Sequence, residues 1–280
     1  MALFNRVTIV GLGLIGGSLG MAIRRRHLAR TVVGYSRKPS TLRRAKQRGA
    51  IDIGTTNLRD AVREADLVVI ATPVDAIVPF AQHAARFCRR GAILTDVGST
   101  KTEIVCSLER SLPRHVSFVG AHPIAGSEQH GIGAAQATLF DGSVCVLTPT
   151  DVTPRRAQQA VARLWKRLGV QVVTMSPARH DRLFAAMSHL PHAVAFCLAG
   201  CVPKHRLPQT PPSFLCMTRI AESDPDLWDD IFLSNRRPML AAMDQFAARW
   251  AQLRVRLARG DRRGVRAFLT DAKAQRHAIC

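Results

Sequence analysis

Apolar residues in the first part of the chain occur in short runs that alternate with amphipathic stretches. The runs are rich in valine and isoleucine and end in glycine, serine or proline, whereas the stretches between them repeat their apolar positions at helical spacing. This alternation predicts a doubly wound α/β fold, in which helices cover both faces of a parallel sheet. The runs are "RVTIVGLG", "TVVGYS", "ADLVVIATP" and "GAILTDVGS", with three further strand candidates in "VSFVGAHP", "SVCVLTP" and "VQVVTMSP".

After Pro177 the pattern changes to long helical stretches, which we predict over residues 178–200, 225–259 and 261–276. We therefore expect two domains, residues 1–176 with the sheet and residues 177–280 with helices alone. The proline-rich stretch "VPKHRLPQTPPS" predicts a loop between helices. Apolar residues at helical spacing in "RPMLAAMDQFAARWAQLRVRLA" predict a homodimer through the helical domain, and packing within one chain is the alternative.

The chain has 280 residues and a formal net charge of +20, divided almost evenly between its two halves. A strongly basic chain raises the possibility of nucleic-acid binding, but a single tyrosine leaves little for base stacking, and we predict no specific nucleic-acid partner. No uninterrupted apolar stretch reaches the length of a membrane span, and no signal peptide precedes the first strand, so we predict a cytoplasmic protein with no membrane partner.

The seven cysteines show no CxxC pair, which favours reduced thiols over a disulfide framework. Cys197 and Cys201 lie one helical turn apart in an apolar run, and we expect them to pack in a core rather than bind metal. His189 and His192 are spaced i, i+3 but supply only two ligands, so we predict no metal site.

The first strand run is followed by the GxGxxG spacing of a Rossmann-type dinucleotide site. Its members are Gly11, Gly13 and Gly16, and they allow a tight turn, close approach of a pyrophosphate, and close packing of helix on strand. A purely structural glycine turn is the alternative. At the end of the next strand, Ser36 stands where an NAD site commonly has an acid, and Arg37 and Lys38 follow. We therefore predict NADP as the preferred cofactor, with NAD possible.

Three later strand ends should share the cofactor edge of the sheet. One carries Thr72 and Pro73, and the next carries a polar cluster of Ser99, Thr100 and Lys101 that we expect to face the nicotinamide, although capping of the next helix by Ser99 or Thr100 is an alternative. His122 lies at the end of the "VSFVGAHP" stretch, and a histidine there could accept a hydroxyl proton during hydride transfer.

Five motifs together resemble the prephenate and arogenate dehydrogenase family of tyrosine biosynthesis. They are "GLGLIGGSLG", "DVGSTK", "GAHPIAGSE", "MSHLPH" and "TRIAESDPDLWDDI", in the family's order and over most of the chain. The resemblance implies oxidative decarboxylation of prephenate or arogenate by NADP or NAD, with a helical domain that forms a homodimer. There are two alternatives. One is a related β-hydroxyacid dehydrogenase, and the other is an NADP-binding sensor or nucleic-acid-associated protein without dehydrogenase activity.

The resemblance also implies roles for residues. His122 would accept the hydrogen bond of the substrate's C4 hydroxyl, with Ser99 at the same centre; Ser188 and His192 would contact the substrate, and Arg219 would bind the ring carboxylate. His189 would support the site, and Trp228 would either wall the pocket or pack the dimer, of which we favour packing. One departure is "PPSFLCM" at 211–217, where the family commonly has a glycine-rich segment, so the substrate preference stays open.

Overall fold

The structure is a computed structural model that describes residues 2–125, 129–202 and 210–279. Part of the "GAHPIAGSE" motif, residues 126–128, lies outside the described residues, as does most of the proline-rich stretch, residues 203–209.

Six parallel strands form the main sheet, in the order β3-β2-β1-β4-β5-β6. This order confirms the Rossmann-type prediction, because it reverses direction beside the first strand and opens a crevice at the strands' carboxyl ends. The strands are β1 (Phe4–Val10), β2 (Ala29–Tyr35), β3 (Ile53–Thr55), β4 (Leu67–Ile70), β5 (Ile93–Asp96) and β6 (Ser117–Val119). The connecting helices are α1 (Leu14–Arg25), α2 (Pro39–Gln47), α3 (Leu58–Val62), α4 (Val74–Ala85) and α5 (Thr102–Ser111).

A second, three-stranded sheet follows, with β7 (Ala121–Ile124) antiparallel to β8 (Val144–Leu147) and β8 parallel to β9 (Gln171–Thr174). Helix α6 (Arg155–Arg167) connects β8 to β9. The stretch "VSFVGAHP", predicted as one strand, is divided at Gly120 between the two sheets. A Cβ atom at Gly120 would lie 2.5 Å from Thr148 Oγ1, so any larger residue would force its neighbours to shift where the chain changes sheets.

Two apolar clusters cover the two faces of the main sheet. One contains Leu19, Ile23 and Trp165 from α1 and α6, and all three side chains are fully buried. The other contains residues of α3, α4 and α5 together with Trp228 and Ile231 from the helical region. The helical region is thus anchored on the sheet by ordinary apolar burial.

The chain from Pro177 onward is helical wherever the structure describes it. Helix α7 (Pro177–Phe184) continues through a π-helical turn (Ala185–His189) into α8 (Leu190–Gly200), and α9 (Pro212–Thr218) leads into a 3-10 turn (Arg219–Glu222). The remaining helices are α10 (Pro225–Ser234), α11 (Arg236–Ala258) and α12 (Arg262–Ile279).

Three predictions for this region need correction. The single helix predicted over 225–259 is two helices that meet at Asn235, whose backbone leaves helical geometry and whose amide bonds to Asp181 O and His189 Nδ1. The helix predicted over 178–200 contains the π turn. The end of the predicted loop, from Pro212, begins α9, because proline at the first position suits a helix start.

The run Pro177–Gly200 is long and apolar enough to cross a membrane by length and composition alone. It also carries Arg179, Arg182 and the buried Asp181, all within its first turns. Since apolar helices of other kinds pass the same test, this similarity is weak evidence for a membrane span.

Candidate active site

The glycine turn between β1 and α1 has the geometry of a phosphate-binding turn. Gly11 has φ +95°, and a Cβ there would lie 2.4 Å from Ala71 O; a Cβ at Gly16 would lie 2.0 Å from Gly11 O. By contrast, no described atom lies within 4 Å of a Cβ placed on Gly13, which is the N-cap of α1. The turn therefore leaves open space at the helix N-terminus, where backbone N–H groups favour an anion.

The next strand, β2, ends at Tyr35, and the predicted ribose contacts follow it directly. Ser36 is half-buried and its Oγ accepts a hydrogen bond from Lys38 N at 3.2 Å, while the Arg37 and Lys38 side chains are exposed. Helix α2 begins immediately afterwards. Two cations and a hydroxyl thus stand beside a helix start, and no carboxylate occupies positions 36–38.

Thr72 and Pro73 lie after β4, next to the glycine turn. Gly11 packs against the backbone of Ala71 and Thr72, which holds these two strand ends together. Thr72 Oγ1 is buried and has no hydrogen-bond partner among the described residues. A buried hydroxyl of this kind is a suitable contact for a bound ligand.

The turn after β5 is organised by a buried ion pair between Lys101 and Asp96. Both side chains have no exposed area; Lys101 Nζ also donates to Ala121 O at 3.0 Å, and Asp96 accepts from Gly98 N and Ala121 N. The prediction that Lys101 faces the nicotinamide is therefore wrong, because this side chain is fully buried and bonds to Asp96 and to the backbone of β7 at Ala121.

Ser99 lies in this turn and is partly exposed, while Thr100 Oγ1 contacts Ser234 Oγ of α10 at 3.0 Å. Neither side chain caps α5. Instead Asp181 of α7 accepts hydrogen bonds from Lys101 N and Thr102 N, both at 2.8 Å. A carboxylate from the helical region thus satisfies the first N–H groups of a helix on the sheet.

His122 lies on β7, beside the Asp96–Ala121 contact, and is partly buried. Its Nδ1 atom lies 2.8 Å from His180 Nε2, and His180 Nδ1 lies 2.8 Å from Asp181 Oδ1. The Phe184 ring packs on both histidines, with centroids 4.8 Å from His122 and 4.4 Å from His180. The sheet and the helical region together therefore hold the imidazole in one orientation.

The surroundings keep both rings neutral. Burial, followed by the positive potential of His180, Lys101 and His189, holds the pKa of His122 well below its ordinary value. Burial also lowers the pKa of His180, against the opposing effect of Asp181. Burial raises the pKa of Asp181, but hydrogen bonds from His180, Thr102 and Lys101 outweigh it and lower the pKa overall, so this carboxylate is ionised at neutral pH.

The π turn and the start of α8 carry the polar residues of "MSHLPH". His189 is buried, and its Nδ1 accepts a hydrogen bond from Asn235 Nδ2 at 3.0 Å. His192 Nδ1 bonds to Ser188 O at 2.9 Å, and the His192 ring stacks on Trp228 with centroids 3.6 Å apart. The half-buried Ser188 and His192 therefore sit on one helical turn, whereas His189 supports the packing behind them. π turns of this type occur frequently at functional sites.

Arg219 begins the 3-10 turn after α9, and its charge reaches His192. Burial lowers the pKa of His192 against the opposing effect of its hydrogen bond to Ser188 O, and the Arg219 guanidinium lowers it further. The segment 211–217 forms most of α9, with Leu215 and Met217 more than half exposed, so it presents Arg219 from the end of a helix. Trp228 is buried within one chain, where it packs on His192 and Phe232.

Sequence reasoning missed two residues of this site, His180 and Asp181. Both lie in "PARHDRLF", where flanking arginines gave the stretch the composition of a solvated helix start. The available signal was the adjacent His-Asp pair next to a domain boundary. The prediction that Cys197 and Cys201 pack in a core is wrong, since Cys197 is exposed on α8 and Cys201 is exposed directly after it. Within the described ranges, no three potential ligands from His, Cys, Asp and Glu come together as a metal site would require.

Two family models match the chain. One, described as the nucleotide-binding domain of prephenate dehydrogenase, matches residues 19–174; the other, described as its dimerization domain, matches residues 176–271. Among curated proteins, the cyclohexadienyl dehydrogenase of Zymomonas mobilis is 36% identical over 93% of this chain and 91% of its own length. The prephenate dehydrogenase of Bacillus subtilis is 32% identical over 98% of this chain and 76% of its own length.

Solved structures give the same result. The prephenate dehydrogenase of Aquifex aeolicus, in complex with hydroxyphenyl propionate and NAD+, superposes with a TM-score of 0.91 at 34% identity, covering 99% of this chain and 98% of that one. The arogenate dehydrogenase of Synechocystis superposes with a TM-score of 0.85 at 27% identity, covering 98% of this chain and all of that one. Nothing in these comparisons supports a sensor or a nucleic-acid-associated protein.

Proposed function

The chain belongs to the prephenate and arogenate dehydrogenase family, and we propose that it catalyses the NADP- or NAD-dependent oxidative decarboxylation of prephenate, arogenate or both. The products are 4-hydroxyphenylpyruvate from prephenate and tyrosine from arogenate. The observation that carries this proposal is the neutral, oriented His122 at the cofactor edge of a dinucleotide-binding fold.

His122 would accept the hydrogen bond of the substrate's C4 hydroxyl. As the hydride leaves C4, positive charge develops at that carbon and is shared with the hydroxyl, and a neutral imidazole acceptor stabilises it. The ring carboxylate then departs as carbon dioxide and leaves its electron pair in the ring, which becomes aromatic. Because aromatisation supplies much of the driving force, the protein mainly has to orient the ring and hold this proton.

The residues of the first two strand ends fit a dinucleotide. Gly11, Gly13 and Gly16 leave the space that a pyrophosphate needs, and the buried Thr72 hydroxyl and Pro73 line the adjacent strand end. A bound nicotinamide supplies the hydride acceptor. We propose that Ser36, Arg37 and Lys38 bind a ribose 2'-phosphate, so that NADP is preferred and NAD is accepted less well.

The proposed substrate contacts lie on both parts of the chain. Ser99 follows β5, which contacts the start of β7 through Asp96 and Ala121, and we propose that it would approach the reacting carbon from the same side as His122. Ser188 and His192 would contact the side chain of the substrate, and the Arg219 guanidinium would bind the ring carboxylate by two parallel hydrogen bonds. We propose that the exposed apolar faces of the helical region form a homodimer. A cytoplasmic location, like the absence of nucleic-acid and membrane partners, stays a prediction.

The direct test is an assay of the purified protein with prephenate or arogenate and with NADP or NAD, in all four combinations. Appearance of the reduced nicotinamide by absorbance in at least one combination is the expected result, and the relative rates identify substrate and cofactor together. A folded protein that produces no reduced cofactor in any combination would contradict the proposed activity.

The cofactor preference has its own test in Arg37→Ala. Loss of a guanidinium beside the 2'-phosphate should raise the KM for NADP by about tenfold or more, since charge-assisted hydrogen bonds contribute roughly 1.5–3 kcal/mol. The KM for NAD, which lacks that phosphate, should change little. Arg30→Ala is the control, because Arg30 is an exposed arginine near the start of β2, at the opposite end of the strand from Arg37. Equal effects of Arg37→Ala on both cofactors would refute the 2'-phosphate assignment.

A further inference from the structure

The side chains of His122, His180 and Asp181 form a hydrogen-bonded line that joins the sheet to the helical region. His122 lies on β7, whereas His180 and Asp181 lie on α7. We infer that His180 and Asp181 are positioning residues, which hold His122 in the one neutral tautomer whose Nε2 can accept the substrate's hydroxyl proton. This inference rests on the proposed role of His122 and adds the residues that make that role possible.

The direction of the line follows from its acidic end. Asp181 is an ionised carboxylate, which can only accept, so the His180 Nδ1 atom that lies 2.8 Å from Asp181 Oδ1 must carry a hydrogen. A neutral His180 then has no hydrogen on Nε2. The contact of 2.8 Å to His122 Nδ1 therefore needs the hydrogen on His122, and a neutral His122 keeps Nε2 free as an acceptor.

The three groups are held in place from several sides. Asp181 Oδ1 also accepts from Lys101 N, and Asp181 Oδ2 accepts from Thr102 N, so the carboxylate cannot turn without freeing the start of α5. His180 is fully buried and its ring stacks on Phe184. In many active sites the histidine that acts as general base is likewise oriented by a third group behind it.

A single added proton would reverse the direction of the hydrogen bond between His180 and His122. If His180 became an imidazolium, its Nε2–H would donate to His122 Nδ1, and the only hydrogen of His122 would then move to Nε2. His122 would lose its acceptor without being protonated itself, so the acidic limb of the pH profile belongs to the histidine pair. Lys101 disfavours a proton on either ring and His189 disfavours one on His122, while Asp181 and Asp96 favour a proton on His180.

The test combines kinetics with the tautomer itself. In the NADP-bound protein labelled with nitrogen-15 on histidine, long-range nitrogen–proton NMR spectra distinguish the two tautomers. We expect His122 and His180 of the unaltered protein to carry their hydrogens on Nδ1 at neutral pH. A hydrogen on Nε2 of His122 would overturn the inference. Because this spectrum is recorded on the unaltered protein, the result does not depend on whether a His180 variant folds.

His180→Phe then removes the nitrogen atoms while retaining the ring on Phe184. We expect kcat to fall about 10- to 100-fold, by analogy with the partners that orient metal-binding histidines, with the substrate KM within roughly twofold. The acidic limb should move to higher pH, because a proton on His180 no longer opposes protonation of His122. His180→Gln, which keeps an acceptor for His122 Nδ1, should recover part of the lost kcat.

Unchanged kcat and tautomer in His180→Phe would overturn the inference. That result differs from failure of the proposed function, which would appear as no reduced cofactor with any pair of substrate and cofactor, and from failure of the proposed role of His122, which would appear as full turnover in His122→Asn. Full turnover in His122→Asn together with the expected tautomers would show that these hydrogen bonds exist but do not serve catalysis. That result would also count against the inference.

Discussion

Single residues decide the chemistry of this site through their protonation states. His189 is buried against Asn235, and burial lowers its pKa from 6.5 to about 4; the Asp181 carboxylate opposes this shift, and His180 and His192 add to it to a smaller extent. Its Nδ1 accepts a hydrogen bond and has no room for a proton. The neutral state of this residue is therefore part of the folded structure.

Acid should consequently destabilise the protein over a defined pH range. Because the folded pKa of His189 lies below the unfolded value, the unfolded chain binds the proton first as the pH falls. The stabilisation is complete above about pH 6.5 and is lost towards pH 4, at a cost of about 3 kcal/mol. Denaturant titrations across this range should show a smaller loss for His189→Gln than for the unaltered protein. The exposed control His83→Gln should keep the original dependence, and identical curves for all three would contradict this account.

The sequence alone predicted the residues of this site only where a motif surrounds them. His122, Ser188 and Arg219 lie in recognisable stretches, and the glycines of the cofactor turn have a spacing with a physical reason. His180 and Asp181 escaped because their function depends on contacts between residues 58 and 80 positions apart in the chain. Lys101 was misjudged because a lysine in a polar turn is ordinarily exposed, and only the structure shows its buried partner.

At the scale of elements, the start of α5 connects the sheet to the helical region. The buried Lys101–Asp96 pair fixes the turn before this helix, and Asp181 binds its first N–H groups. Replacing Lys101 with methionine would leave the Asp96 charge buried without a cation. We expect the free energy of unfolding to fall by about 3–5 kcal/mol, measured by denaturant titration.

A matched control is Arg249→Met, which removes an exposed ion pair with Asp271. That change should cost less than about 1 kcal/mol, because solvent screens exposed pairs. If the free energy of unfolding fell by a similar amount in both variants, the Lys101–Asp96 pair would not make the contribution to stability proposed for it.

Apolar periodicity predicted the strands and most helices, since it reports which side of each element is buried. It could not predict the break at Asn235 or the division at Gly120. The first depends on hydrogen bonds to Asp181 and His189, and the second depends on close approach to Thr148. Both are tertiary contacts that local pattern does not contain.

At the scale of the whole molecule, the helical region exposes more apolar surface than a monomer needs. Leu240, Met243, Phe246 and Trp250 recur at helical spacing along α11 and are 40% to 63% exposed. The matching family domain is described as a dimerization domain. The apolar periodicity predicted this face but not what packs against it, because the sequence pattern of a dimer interface is the same as that of an intrachain helix bundle.

We expect Trp250→Glu to weaken the proposed dimer by burying a charge in its interface, so that light scattering after size exclusion reports a monomer at micromolar concentration. Val152→Glu, a change at a 70% exposed residue of the first domain, is the control and should remain dimeric. A Trp250→Glu protein that stays dimeric would exclude this face as the essential contact.

The central claim is that His122 accepts the substrate's hydroxyl proton, and His122→Asn tests it most directly. Asparagine keeps a polar side chain of similar reach but cannot take up a proton at neutral pH. With the best substrate and cofactor pair, kcat should fall by about 10²- to 10⁴-fold, while substrate and cofactor dissociation constants stay within roughly twofold. Turnover equal to that of the unaltered enzyme would contradict the account.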